Sequence, residues 1–487
     1  MSHADVMIAG GQVIDGSGAP ARKADVAVRG DRIAAVGDLR TWTAERRVNA
    51  AGRTVTPGFI DVHTHDDAAL FDRPDMTMKI SQGVTTVICG NCGLSAAPCP
   101  LHGGVDFFKL LTPKPESLPR SVDELLDRVD FAKPALNAAF LVGHSSLRMR
   151  VMGKDLGRVA TPSEIDQMRD HLDDGLDAGA IGLSSGLFYP PAQAATTEEL
   201  VEIATVLEPA QGVYAAHMRD EGDRIIAAID ETLAIGRAGA RMTVISHHKL
   251  GGKRNAGRSR ETLAHIERAA ATQPLAFDVY PYVASSTMLM KGRLAEAERV
   301  LVAWSEPHPE LAGQDLAAIA KSWGVGLEAA VDRLSPAGGI YFMMDEGDVR
   351  RIMTHKLAMI GSDGLPVDRH PHPRLWGTFA RVLGHYSRDQ NLFDLPTAVR
   401  KMTGHPAEVF GLSGRGRIAP GAYADLVMLD PSQVIDRADF ERPTQASDGI
   451  EMVMVNGQIV WRDGAATGAR PGRVLRRQAL LDEAQTG

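Results

Sequence analysis

The chain has 487 residues, room for about three average domains or for one large α/β barrel with attachments. Its 44% hydrophobic and 23% charged content is ordinary for a globular protein, and 53 basic against 61 acidic side chains leave a net charge of −8, which offers no global field to nucleic acid or an anionic membrane. Only three cysteines occur, Cys89, Cys92 and Cys99, all in one short segment, and this excludes a disulfide-built secreted scaffold.

The first residues lack the basic region of an export signal and run straight into Gly/Asp-rich turns. No stretch approaches the roughly 18 apolar residues of a membrane helix. A cytoplasmic protein is expected, with a small-molecule partner and neither nucleic acid nor membrane.

Residues 5–16, 24–31 and 32–37 cluster β-branched side chains between Gly-Gly, Asp-Gly and Gly-Asp turns and read as short strands. The far end has the same texture at 424–430 and 452–461, where Asn456-Gly457 between apolar runs marks a tight hairpin. Each end leaves strand edges in need of a partner, so the two are expected to join in one small β-sandwich domain, 1–57 with 413–487.

Between the ends, eight apolar runs recur, at 54–63, 84–90, 137–144, 180–186, 212–217, 242–247, 275–280 and 357–363, mostly followed by helical stretches. Such runs, alternating with helices, predict a parallel sheet buried on both faces, and eight of them predict a (β/α)₈ TIM barrel over 58–412. One helix start is explicit: Thr161 and Glu164 form a capping box with Pro162 at the first helical position. The gap between the last two runs is too long for a loop and predicts an inserted subdomain at about 283–355.

Residues just past the C-terminal ends of barrel strands face the active site. Here they are His63 and His65, Cys92, His144, Ser184 and Ser185, His217, His247 and His248, Tyr280, and Asp363. His63-Thr64-His65 puts two imidazoles on one side of an extended strand. With His217, His247 and Asp363 each ending a different strand, the pattern predicts a metal centre, and imidazole with carboxylate suits zinc. Cys89-x-x-Cys92 has no second pair to complete a structural zinc site, so Cys89 and Cys99 read as packing residues, while the glycines beside Cys92 keep its sulfur approachable. Gly182-x-Ser184-x-Gly186 matches a serine-hydrolase nucleophile turn but competes with the metal pattern for the same mouth. His144 reads either as another imidazole at the rim or as a satisfied, hydrogen-bonded structural histidine. Arg374, after a proline-stiffened run, delivers a guanidinium suited to a carboxylate.

Taken together, 58–67 (Gly-Phe-Ile-Asp-Val-His-Thr-His-Asp-Asp), Gly90-Asn-Cys-Gly, His217-Met-Arg-Asp-Glu-Gly, Ser246-His-His-Lys, Asp278-Val-Tyr-Pro-Tyr and Gly361-Ser-Asp-Gly-Leu-Pro resemble the amidohydrolase superfamily, and within it the N-acyl-D-amino-acid deacylases, over essentially the whole chain. Most two-metal amidohydrolases bridge their metals with a carboxylated lysine at the fourth strand, and none stands here. The resemblance implies a tight zinc on Cys92, His217 and His247, a weaker second site with His63 and His65, and Asp363 as general base and then acid. It implies Tyr189 at the oxyanion, Lys249, Tyr280, Ser285 and Arg374 on the substrate's α-carboxylate, and Arg293 within reach of an acidic side chain. The implied reaction is zinc-dependent hydrolysis of an N-acyl-D-amino acid. A cyclic-amide hydrolase of the hydantoinase or dihydroorotase kind, or a D-dipeptide hydrolase, is the alternative.

Overall fold

The computed structural model describes residues 2–100 and 105–486. The eight apolar runs form eight parallel strands hydrogen-bonded in chain order: Phe59–Asp61, Val84–Cys89, Asn137–Gly143, Gly182–Gly186, Val213–His217, Met242–Ile245, Leu275–Val279 and Ala358–Ile360. A parallel bridge between Thr64 and Gly364, with the Asp363 N–H donating to the His63 carbonyl at 2.8 Å, joins the first strand to the last and closes the barrel. The strands are apolar on both faces because alternate residues enter different cores. Ile60, Ile88, Leu141, Ala215, Val244 and Met359 fill the interior, whereas Phe59, Val87, Phe140, Tyr214 and Ile360 pack outward against the helices.

An open lower end would expose the interior side chains. Phe410, Leu412, Leu475 and Leu480 cover it, and the segment leading to the final helix, Arg477–Thr486, is tied on by the Leu475 N–H to the Ala138 carbonyl at 2.7 Å. The helix Pro162–Ala178 begins as its capping box dictates: the Thr161 N–H donates to Glu164 at 2.8 Å and the Glu164 N–H to Thr161 Oγ1 at 3.3 Å.

The two chain ends build one nine-stranded sheet, joined where Thr54–Pro57 pairs antiparallel with Leu426–Leu429. His3–Val13 pairs along its length with Arg22–Arg29, Thr43–Asn49 and Thr54–Pro57, so the sheet folds over a core of Val26, Val28, Val55, Leu426, Met452 and Met454. Asn456 and Gly457, both at positive φ (46° and 79°), turn Ile450–Val455 into Gln458–Arg462 as a primed hairpin requires.

The insertion is a three-stranded antiparallel sheet of Ala284–Met288, Ala337–Phe342 and Arg299–Ser305, backed by helices Leu316–Trp323 and Leu327–Leu334 with a core of its own. It borders the barrel mouth: Arg374 Nη2 donates to the Ser286 carbonyl at 3.1 Å, and the Gly252 N–H to the Met343 carbonyl at 3.0 Å. Among the described residues no helix is long and apolar enough to cross a membrane.

Candidate metal centre

Three residues that end barrel strands share a costly backbone conformation. Cys92, His247 and Asp363 sit at φ 55°, 38° and 51°, the left-handed region that side chains other than glycine rarely enter. Strain of this kind survives only where the surroundings enforce it, and it clusters at functional sites.

The side chains of these residues converge. Cys92 Sγ lies 3.2 Å from His63 Nε2 and 3.3 Å from His247 Nε2, and His65 Nε2 lies 3.2 Å from Asp363 Oδ1. Two donor groups result, His63, His65, Cys92 and Asp363 in one and Cys92, His217 and His247 in the other, each with its ligand atoms within 4.8 Å of one another. Cys92 belongs to both. All six side chains are buried, and among the described residues neither ring nitrogen of His217 has a hydrogen-bond partner. Buried imidazole nitrogens facing a sulfur without a partner are poorly stabilised as protein alone and well stabilised by a divalent cation, so the residues fit zinc.

The charges agree. Burial opposes a thiolate at Cys92, yet the imidazoles of His63, His247 and His217 outweigh it and hold the thiol well below its ordinary range. Burial also opposes charge on Asp363, but the Arg374 guanidinium, with Nη1 at 2.8 Å from Oδ2, and the imidazoles of His63 and His65 keep its carboxyl well below the usual carboxylate range. Burial would lower His65, whereas Asp363 and Cys92 push it up to about 9. Two negative groups that hold a proton this firmly also attract a metal dication.

The Cys92 loop is pressed onto the fourth strand. A Cβ on Gly186 would lie 2.0 Å from the Cys92 carbonyl oxygen, and one on Gly93 2.6 Å from the Gly186 nitrogen. Ser184, the centre of the nucleophile-like motif, is used up in this contact: its hydroxyl donates to the Gly90 carbonyl and accepts the Gly93 N–H at 3.0 Å. Ser185 pairs with the Tyr214 hydroxyl at 2.6 Å, so both serines at the end of the fourth strand are engaged in structural contacts. His144 is likewise structural, held at 2.9 Å by Glu199, which also pairs with Arg148. Cys89 and Cys99 are buried thiols whose pKa burial raises.

On the substrate side, Tyr280 is buried with a hydroxyl that lacks a partner among the described residues, its ring 4.6 Å from the Arg374 guanidinium and 5.6 Å from Lys249 Nζ. The Tyr189 ring lies 4.7 Å from that of His217, and its hydroxyl accepts a hydrogen bond from Thr287 at 3.3 Å. Arg293 stacks 4.4 Å over Phe188 beside a cavity of about 220 Å³. Ser285 points elsewhere, donating to Met343 Sδ at 3.4 Å, and the carbonyl of its neighbour Ser286 meets Arg374 instead.

Two buried carboxylates carry no role in the sequence reading. Asp278 Oδ2 lies 3.3 Å from His63 Nδ1, and its Oδ1 accepts the His247 N–H at 2.9 Å. Its signal was available, since a carboxylate inside the apolar strand Leu275–Val279 must have buried partners. Glu221 contacts His247, Lys249 and Arg293; it stands in the His217-Met-Arg-Asp-Glu-Gly motif, but nothing in that motif says which side chains it meets. Beneath the site, fully buried Lys79 pairs with Asp61 at 2.7 Å and Asp66 at 3.2 Å and donates to Ser362 at 2.8 Å, tying the first strand to the eighth.

Residues 46–461 match the model of the Amidohydrolase family. A D-aminoacylase of Alcaligenes xylosoxydans xylosoxydans is 53% identical over 475 residues, covering 98% of this chain and 98% of that protein. The chain belongs to the N-acyl-D-amino-acid deacylases of the amidohydrolase family. An N-acyl-D-glutamate deacylase of the same organism is 49% identical over 479 residues, covering 98% of this deacylase-family chain and 97% of its own length. The solved N-acyl-D-glutamate deacylase of Bordetella bronchiseptica, complexed with zinc and a phosphonate mimic of the tetrahedral intermediate, superposes with a TM-score of 0.94 at 47% identity over 98% of this chain and 100% of that one. The resemblance read from the motifs and the barrel expected from the strand pattern are both borne out.

Proposed function

We propose that this protein is a zinc-dependent hydrolase that cleaves N-acyl-D-amino acids to a carboxylate and a free D-amino acid. The observation that carries the reading is the pair of donor groups sharing Cys92, with ionised Asp363 at their edge and the cations of Lys249, Arg293 and Arg374 beside them. The tight zinc is assigned to Cys92, His217 and His247, and a second, weaker site to His63 and His65 with Asp363 adjacent. Zinc held there would supply Lewis acidity and lower the pKa of bound water toward about 7.

The chain's own residues do the rest. Asp363, ionised at neutral pH, accepts the proton of the attacking water as the oxygen bonds to the amide carbon, then returns it to the nitrogen as the C–N bond breaks. The Tyr189 hydroxyl faces the developing oxyanion. Lys249, Tyr280 and Arg374 hold the α-carboxylate; Ser285 joins them only by rotating away from Met343. Arg293 addresses the side-chain cavity. Relatives of about half identity named for linear N-acyl substrates, and the serines at the fourth strand end, favour this reading over cyclic-amide or D-dipeptide hydrolysis.

The test is amine release from N-acetyl D- and L-forms of glutamate, aspartate, leucine and methionine by zinc-loaded and chelator-stripped protein. Release from D-forms only, abolished by stripping, is expected. No release from any D-form by protein containing zinc overturns the assignment.

A further inference from the structure

A cavity of about 540 Å³ is lined by none of the residues assigned above to metal or substrate. It lies where the helix Arg374–Arg381 runs into a π-helical segment, Val382–Asp389, and both meet residues 435–442 ahead of the strand Ile450–Val455. π-Helical turns are rare and occur frequently at functional sites. This one is pressed onto the neighbouring segment: Arg388 Nη1 donates to the Val434 carbonyl at 2.7 Å, and a Cβ on Gly384 would lie 2.2 Å from the same oxygen.

The cavity wall carries a buried polar group that nothing in the fold uses. Tyr282 is 5% exposed, and its hydroxyl has no hydrogen-bond partner among the described residues. A buried hydroxyl is ordinarily paired, so this one calls for a partner. Its neighbour is a carboxylate: a Cβ on Gly377 would lie 2.9 Å from the Tyr282 hydroxyl oxygen and 3.6 Å from Asp436 Oδ2, so both oxygens reach the helix face that this glycine leaves bare. The Asp436 side chain is 7% exposed and pairs with Arg381 Nη1 at 3.3 Å. At the rim Arg442 pairs with Asp439 at 3.1 Å, and Ile435 and Phe440 add apolar surface.

Matched charges of this kind select their occupant. A lone anion meets the repulsion of Asp436 and Asp439, and a lone cation that of Arg381 and Arg442. A molecule that carries both charges extends each pair and leaves no buried charge bare. We propose that this cavity is a second binding site that takes a free α-amino acid with an apolar side chain: the carboxylate on Arg381, the ammonium on Asp436 and the Tyr282 hydroxyl oxygen, and the side chain on Ile435 and Phe440. That such a molecule is a product of this protein's own reaction rests on the deacylase reading. An N-acyl substrate is excluded because its nitrogen is an uncharged amide.

The test is hydrogen–deuterium exchange, read by mass spectrometry, on zinc-loaded protein titrated with D-leucine. Peptides spanning 382–389 and 435–442 should gain protection that saturates. Tyr282→Phe removes only the hydroxyl and should raise the half-saturating concentration for these peptides about 3- to 10-fold. Asp436→Asn should raise it about 10-fold or more, and the Phe variant carries the test if the Asn variant does not fold. Both variants should cleave the best N-acetyl-D-amino acid substrate with kcat/KM within about twofold of wild type, because the cavity shares no residue with the reaction site. 4-Methylpentanoate and isopentylamine, each with one of the two charges, should give no protection there. Absence of protection in both peptides up to the solubility of D-leucine, a half-saturating concentration unchanged in the variants, or equal protection by either singly charged analogue overturns the proposal. Failure to release amine from any N-acyl-D-amino acid overturns the hydrolase reading instead, a result that the exchange data do not depend on.

Discussion

Replacing Asp363 by Asn tests the reaction and the electrostatics of the site at once. The substitution removes the group that moves the proton, and a positioned general base contributes about 100- to 10,000-fold, or about 2.7 to 5.5 kcal/mol of barrier. It also removes the partner of Arg374, a fully buried guanidinium 2.8 Å from Asp363 Oδ2. At that distance and an effective dielectric near 20 the attraction is about 6 kcal/mol, and breaking a buried pair on one side costs about 3–5 kcal/mol net. The variant should therefore lose activity, melt at a lower temperature, and bind an N-acyl-D-amino acid more tightly, because the unpaired Arg374 gains a new carboxylate. Tight zinc should remain, since Asp363 is absent from the group of Cys92, His217 and His247. Amine release with and without excess zinc, metal content by mass spectrometry, thermal melting and substrate protection against melting read the four outcomes. A kcat within tenfold of wild type, or loss of the tight zinc, refutes the assignment of Asp363.

Three further perturbations follow from named contacts. Cys92→Ala should lose the tight zinc and Cys89→Ala should keep it, as measured on proteins dialysed against the same weak chelator. Lys79→Met leaves Asp61 and Asp66 buried without their cation and should destabilise the metal-free protein by about 3–5 kcal/mol, measured as a fall in melting temperature. Burial raises Asp66 to about 6 even with Lys79 present, and losing the cation raises it further, so the folded variant binds more protons than the unfolded chain; its deficit should shrink as pH falls from about 8 to about 5.5 and reopen as pH rises. A deficit that does not vary over that range would falsify the burial account of Asp66. Gly186→Ala touches no ligand, but its Cβ would collide with the Cys92 carbonyl oxygen, so zinc affinity should fall while Gly182→Ala, which meets Val213 rather than the Cys92 loop, disturbs folding without that selectivity.

Much of the site could be read in one dimension because a parallel barrel converts sequence position into spatial position. Every strand ends on the same rim, so His63, Cys92, His217, His247 and Asp363, each within three residues of a strand end, had to come near one another whether or not their separations were known. His63 and His65 needed only the two-residue repeat of a strand. Glu221 lay beyond this logic. It sits four residues past its strand, where direction depends on loop conformation, and its charge alone predicts solvent. Ser285 shows a different limit: its strand belongs to the insertion, whose register with Ala337–Phe342 turns the hydroxyl to Met343, and no local pattern carries that information.

The amino-acid sequence by itself determined the kinds of element, the barrel they make and the residues on its rim, because strand period, apolar runs and turn chemistry are local properties. Tertiary structure alone decided which rim residues touch. It placed Cys92 between two donor groups, set Arg374 on Asp363, and lodged Glu221 among His247, Lys249 and Arg293. The reason is physical: burial forces each charge to find a partner, and which partner is nearest depends on how distant segments close against one another.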